Sequence, residues 1–442
     1  MRFDHFAAEL TYAALPPDVL ATLRRSFTDT MGVAAVASTT RMADVARRGA
    51  VALFGPGGAG GARILMHGGQ VSPAGAAMAG AFTVDAVDAH DGTSPCKGHA
   101  GSAVFPALLA LADARGDMTG AEFATLLAIS YEVSYRAGLA QHATTADYHT
   151  SGAWTAVGVA VAVARGLKCD ADQIRHAAGI GEYHGPRSQM MRCIDHPSMV
   201  RDGVGWGAPS GLTAAYLACE GFTGAPALTC EEAPEFWTDL GQRWQLVQDT
   251  HYKPYPCCRW AHPSIDAAAE LMAAHDLSHQ EIALVEIKTF HMATRLAGHT
   301  PATPDEFAYG IAFPVATMIV RGQIGVPELA EETLQDPEIM RISKATVLVD
   351  DPHLTEISVG KRWAQVILTL KDGRVLSSEP RTPRGDTDMP LSDQEMSDKF
   401  HRFANPVLGV ARATELAELS SRFDTLERTE FARLLDLCLD AP

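Results

Sequence analysis

The sequence has no closely paired thiols. Its eight cysteines include no Cys-x-x-Cys, which argues against zinc ribbons, thioredoxin-type motifs and iron–sulfur clusters with closely spaced thiolates. Cys257 and Cys258 are neighbours, an awkward geometry for bonding each other. Reduced thiols in a cytoplasmic protein are the expectation. Positive charge is scarce: the formal net charge is −17, which makes nucleic acids and anionic membranes poor partners. Long apolar runs are missing too. The longest, Gly152 to Ala164, is too short to span a bilayer. The N-terminal Met-Arg-Phe-Asp-His-Phe has neither the basic start nor the apolar stretch of a signal peptide. Gly55 to Gly61 reads as a flexible loop, but no Gly-Lys-Ser/Thr follows it, so a phosphate loop is a weak reading. There is no sustained internal repeat and no coiled-coil heptad.

What is present points to a large, mainly helical protein. The chain has 442 residues, 47% of them hydrophobic, more than one simple core accommodates, so two domains are expected. Abundant Gly and Ala favour closely packed helices over a β-sandwich. Apolar spacing predicts helices over Leu15–Ala37, Met42–Phe54, and near 72–88, 103–115, 121–138, 151–165 and 208–220. Ser72-Pro73 supplies a cap and a first-turn proline. Ser102 is expected to cap the next helix, which stops at Gly116, and Thr150 or Ser151 the one after His149. The pattern then changes. Ile282–Phe290, Lys344–Val349 and a Gln365–Ser378 hairpin with Asp372-Gly373 at its turn predict strands, with a helical run near 307–320 between the first two. Helix returns from Ser392. The expected fold class is therefore mainly α, with a smaller α+β unit inserted in a helical protein.

Chemistry concentrates in a few stretches. Asp85–Ser102 carries Asp85, Asp88, Asp91, His90, Lys97 and His99, broken by Gly92, Pro95, Gly98 and Gly101. Solvating a loop requires no histidine, whereas a site needs groups that titrate near neutrality, as His90 and His99 do. His149 precedes a helix start, where imidazolium is disfavoured, so it is expected to be neutral and able to take a proton. Arg187, Arg192 and Arg201 lie in an Arg- and Met-rich connector and suit bidentate carboxylate binding. Lys253, Arg259 and His262 follow on a proline-stiffened stretch. A metal reading of Asp88, His90, Asp91 and His99 lacks the paired spacing of familiar sites, so no metal is expected.

Taken in order, these stretches resemble the MmgE/PrpD family over nearly the whole chain. The carriers are Asp88-Ala-His-Asp-Gly with His99, Tyr131-Glu-Val133, Tyr148-His149, Ser198-Met-Val-Arg-Asp-Gly203, Gly221-Phe-Thr-Gly224 and Lys253-Pro-Tyr-Pro with His262. Lys371-Asp-Gly-Arg374, Pro383-Arg-Gly-Asp386 and Lys399-Phe400 belong to the same pattern. The resemblance implies a large all-helical domain built from both chain ends, at 1–258 and 396–442, and a smaller α+β domain at 259–395, with the site between them. It implies a homodimer, no organic cofactor and no metal, and a small di- or tricarboxylate as substrate. The implied reaction is proton abstraction next to a carboxylate, ending in dehydration or, as the runner-up, epimerisation of an amino- or imino-dicarboxylate. The expected catalytic set is His99, His149, Asp88 and Asp91. Arg201, Lys253, His262, His90 and Arg192 are expected to hold the substrate. Three departures stand out: His90 replaces an acid, Arg201 replaces the usual Lys, and Phe313 lacks a hydroxyl that other members carry. The third, with the absence of an extra His near Cys258, makes cis-aconitate-type decarboxylation a weaker expectation.

Overall fold

A computed structural model describes residues 2–56 and 60–442. Residues 57–59 of the expected Gly55–Gly61 loop lie outside the described residues. The chain is 60% helix and only 8% strand, as the apolar spacing required. Helices α1 (Pro17–Ala37), α2 (Pro73–Asp85), α3 (Gly101–Arg115), α4 (Gly120–Thr144), α5 (Gly152–Gly166) and α6 (Val204–Cys219) pack around one apolar core. Helix α5 is almost entirely buried and made of small residues, which lets its neighbours approach closely. A side chain at Gly158 would run into Ser130 and Ser134 of α4.

The cap expectations hold in part. Ser72 Oγ accepts from Gly75 N at 3.3 Å, and Gly116 ends α3 with φ +66. Ser102 does not cap α3: the helix begins one residue earlier, and the Gly101 N–H is taken by the Asp91 carboxylate at 3.1 Å. Ser151 does not cap α5 either, because its hydroxyl accepts from the backbone N–H of His99 at 2.9 Å. The expectation that all thiols are reduced is also corrected. Cys169 and Cys219 are joined, with Cα atoms 5.8 Å apart, because the turn after α5 and the end of α6 meet there. The adjacent Cys257 and Cys258 are both free and buried.

A two-residue ladder ties the acidic loop to the later part of the chain: β1 (Gly92–Thr93) pairs antiparallel with β2 (Thr250–His251). Beyond it come α7 (His262–Ala274) and a four-stranded sheet. Its strands are β3 (Ile282–Thr289), β4 (Thr346–Asp350), β5 (Ala364–Leu370) and β6 (Val375–Ser377), in the order β4-β3-β5-β6. The β3–β4 pair is parallel, and α8 (Ala312–Arg321) and α9 (Pro337–Lys344) lie in the crossover between them. Strand β5 alternates strictly, with Val366, Leu368 and Leu370 buried. One face is therefore packed, here against α7, and the other is wetter. Gly373 takes φ +90 in the β5–β6 turn, where Asp372-Gly373 was expected.

The C-terminal helices α10 (Asp393–Leu408), α11 (Val410–Ser421) and α12 (Arg428–Leu439) return to the first part of the chain. Phe423 stacks on Phe27 with centroids 4.9 Å apart. Lys399 of α10 reaches the buried Asp29 at 2.7 Å and the Ala89 carbonyl at 2.7 Å. The far end of the sequence thus clamps the backbone of the acidic loop.

Candidate active site

A narrow cleft of about 40 Å³ opens where three parts of the chain meet. The loop after α2 contributes Asp88, Ser94, Lys97 and His99; the segment after α5 contributes Met190, Ile194 and Asp202; the later part contributes His251, Lys253, Cys258, Arg259, Trp260, Tyr309 and Arg362. Four cations and two carboxylates line it, in a protein of net charge −17. It is the local basic pocket that an anionic substrate requires.

The acidic loop is folded mostly onto itself. Asp88 adopts φ +49, and its carboxylate forms an ion pair with Lys253, whose ammonium also donates to the Asp88 carbonyl at 3.1 Å. His90 is fully buried. Its Nε2 donates to Asp85 Oδ1 at 3.0 Å and its Nδ1 to the Asp91 carbonyl at 3.1 Å. Burial alone would lower His90, but the hydrogen bond to Asp85 and the charges of Asp85 and Asp88 outweigh it and raise its pKa. An imidazolium donating through both nitrogens fits that geometry. Asp91 accepts from Tyr131 Oη at 2.6 Å and from Gly101 N. Burial lifts its carboxyl to about 6.

His99 is different. Its Nδ1 donates to the Asp91 carbonyl at 2.6 Å, which fixes the tautomer and leaves Nε2 with a lone pair. Asp91 thus orients His99 through its backbone, while its side chain serves the start of α3. His99 is held well below the usual imidazole value, first by burial and then by the charges of Lys253 and His90. Its Nε2 faces Asp202 Oδ2 at 3.3 Å. Burial, reinforced by Asp85 and Asp88, pushes Asp202 up to about 7. A carboxyl that keeps its proton near neutrality and a neutral imidazole presenting a lone pair form a complementary pair.

The other expected residues lie elsewhere. His149 is not part of the cleft lining; its Nδ1 donates to the Asp147 carbonyl at 2.8 Å. Arg192 is exposed on the short helix Met190–Asp195, while Met190 and Ile194 of that helix face the cleft. Arg201 is buried behind Tyr309, 5.8 Å over its ring, and binds Asp305 at 2.6 Å. Its Nε and Nη1 have no partner among the described residues. His262 donates from Nε2 to the Cys257 carbonyl at 3.0 Å and accepts from Arg259 at 3.3 Å. It braces the proline-rich stretch rather than the cleft.

Asp202, His251 and Arg362 were not among the expected site residues. Arg201 and Gly203 both have positive φ, +40 and +70, and flank Asp202. The sequence signal for this turn was the glycine after Arg-Asp. His251 is carried by β2 against Gly92. Its Nδ1 lies 3.4 Å from Asp386, and its Nε2 is buried without a partner among the described residues. A side chain at Gly92 would meet His251 Nε2 at 2.6 Å and His99 Nδ1 at 2.8 Å, so only glycine fits between the two rings. Arg362 carries no motif and reaches the cleft only through the turn before β5.

Asp88, His90 and His99 bring potential metal-ligating atoms within 4.8 Å of one another. The Lys253 ammonium already pairs with Asp88, and His90 Nε2 is bound to Asp85. A divalent cation would have to displace a buried cation, so this donor set fits the ammonium better than a metal.

The chain is 23% identical to human cis-aconitate decarboxylase over 383 residues, covering 81% of this chain and 78% of that protein. It is 22% identical to the mouse cis-aconitate decarboxylase over 386 residues, covering 81% and 77%. The MmgE/PrpD N-terminal domain matches residues 1–238 and the MmgE/PrpD C-terminal domain matches residues 255–425. With both domains matched in order, the chain belongs to the MmgE/PrpD family, a lyase-type family acting on carboxylates.

Proposed function

We propose that this chain is a lyase that removes a proton next to a carboxylate of a small di- or tricarboxylate and expels hydroxide, as a hydro-lyase does. The observation that carries the reading is the His99–Asp202 pair set among Lys97, Lys253, Arg259 and Arg362. Abstracting such a proton builds negative charge on the carboxylate, and preorganised cations in a dry site stabilise it. Lys253 spends two of its three donors on Asp88 and has one left for substrate. Arg259 is held by Asp386 at 2.5 Å and His262, and its Nε has no partner among the described residues. These two cations, rather than Arg201, are assigned to the substrate carboxylates. With one proton fewer, the His99–Asp202 pair accepts the substrate proton; with it restored, the pair donates to the departing hydroxyl.

Epimerisation is the second reading. His251 favours it, since its Nε2, without a partner among the described residues, supplies another neutral base. In this proposal the active unit is a homodimer that needs no metal or organic cofactor.

Proton NMR of the protein with hydroxy-, amino- and unsaturated di- and tricarboxylates in deuterated water tests the reading. Loss of the C–H signal beside a carboxylate, with formation of an unsaturated acid, supports the lyase. Exchange with inversion and no net elimination supports the epimerase. Binding without exchange across the panel would reduce the protein to a carboxylate-binding module.

A further inference from the structure

The inner cleft does not end at its cations. Lys97, Tyr148, Trp260 and Arg362 line it and also line a second, larger chamber of about 470 Å³ that opens outward. These four residues form a throat. Its walls are aromatic: Tyr148 donates from its hydroxyl to the Lys97 carbonyl at 2.8 Å, and Trp260 packs edge-on against Phe290 with centroids 5.3 Å apart.

The throat's two cations lack acids. Arg362 is buried and donates to the carbonyls of Lys361 at 2.9 Å and Ser358 at 3.3 Å; the Lys97 ammonium lies 5.6 Å over the Tyr148 ring. Neither has an ion pair among the described residues. Burial, and then the charge of Arg362, lowers Lys97, so the two cations repel each other in the absence of an anion. A carboxylate between them relieves both the repulsion and the missing partner.

Beyond the throat the character changes. Phe290, Met292 and Val359 present apolar surface, and His291 Nδ1 is hydrogen-bonded to Asp350 at 2.7 Å. The exposed Asp147 stands among the chamber residues and repels a further anionic group. Resting on the lyase reading above, we infer that the preferred substrate is a polycarboxylate bearing an apolar branch longer than a methyl group. A further carboxylate, not one of those held by Lys253 and Arg259, sits between Lys97 and Arg362, and the branch lies in the outer chamber. The outer chamber, at about 470 Å³, is within the usual range for small ligands, roughly 300–1,000 Å³, whereas the inner cleft has only about 40 Å³ and holds no more than the reacting end of one. A bare acid would leave the apolar chamber wet and unused.

The experiment measures C–H exchange in deuterated water for di- and tricarboxylates with and without alkyl branches running from methyl to hexyl. The expected result is a kcat/KM that climbs with chain length, up to about fourfold per buried methylene, carried mainly by KM. Met292→Trp and, at the rim, Val359→Trp should flatten that climb by filling the chamber. A rate that falls or stays level as the branch grows would overturn the inference while leaving the lyase reading intact. A climb that survives both tryptophans would also overturn it. Exchange with no acid of either kind removes the lyase reading, and this inference with it.

Discussion

Asp85–Ser102 and Lys253–His262 are both rich in titratable groups, yet they spend them differently. In the first, Asp85 is taken by His90, Asp88 by Lys253, and Asp91 by Tyr131 and the start of α3. Nearly every charge holds the loop in place, and only His99 turns a lone pair toward the cleft. In the second, Lys253 keeps a donor open and Arg259 Nε is unpartnered among the described residues. One stretch is chiefly scaffold, apart from Lys97 and the single His99 atom proposed to react; the other is chiefly a set of unspent donors. Density of charged residues therefore does not mark the chemistry. Within the cleft, His251 Nε2 and Arg259 Nε, buried and without a partner among the described residues, mark it better, because such atoms are costly unless a ligand completes them.

The largest effect should come from the contact that joins the two. Lys253→Met leaves the Asp88 carboxylate buried at the cleft without its cation. Breaking a buried pair from one side costs about 3–5 kcal/mol, so urea unfolding should show a loss of that size, and exchange should vanish. Asp88→Asn alongside it should recover much of the stability by removing the stranded charge. If Lys253→Met unfolds like the parent, the loop is not held from the second stretch and the comparison fails.

The two imidazoles expected to act together separate next. His99→Gln should lower exchange by about 10²–10⁴-fold with the fold intact. His149→Gln should change it by less than about tenfold, a loss short of what a positioned acid–base group provides. Equal losses would put His149 back in the reaction and require it to move into the cleft.

This contrast shows how much the sequence carried. The helix pattern, the sheet segments and the two chemical stretches were legible, because apolar spacing and Gly/Pro punctuation are local signals. Strand β5 alternates as a one-sided strand should. His99 and Lys253 were legible as titratable groups in unusual places. Asp202 was not: Arg201 beside it looked like the clamp, and the positive φ at Arg201 and Gly203, which decides the course of this turn, is invisible without coordinates. Arg362 follows a helix turn in an otherwise ordinary connector, and tertiary packing alone gives it a role. Ser102 and Ser151 were misassigned as caps because a carboxylate ten residues upstream of Gly101 and a backbone N–H from another loop outcompeted local capping.

A pH profile sharpens the comparison from the scaffold side. The base form of the His99–Asp202 pair lacks the shared proton, and burial places Asp202 at about 7. Exchange should therefore rise with pH and level off above an apparent value near 7, which belongs to the pair rather than to either residue. Asp202→Asn should remove that limb. The stability sign runs the other way. A carboxyl whose folded pKa lies above its unfolded value binds its proton more tightly when folded. Its contribution is present at low pH and is lost as pH climbs toward 7. Asp202→Asn should thus unfold at higher urea than the parent at pH 8, with the gap closing at pH 4.

The smallest effect separates two serines that look alike in sequence. Both precede or begin apolar helices, and both read as caps. Ser102 Oγ is buried with no partner among the described residues. Ser151 Oγ accepts the His99 backbone N–H and so joins α5 to the loop that carries the imidazole proposed to react. Removing a hydroxyl that makes no bond should be nearly neutral, whereas stranding a backbone N–H should cost about 1 kcal/mol or somewhat more. Ser151→Ala should therefore lower the urea midpoint and weaken exchange several-fold, with KM little changed, because His99 loses an anchor rather than the substrate losing a ligand. Ser102→Ala should leave both measurements close to the parent. The reverse order would mean that α3 is capped by its serine after all, and that the Asp91 carboxylate is free for the chemistry the loop first suggested.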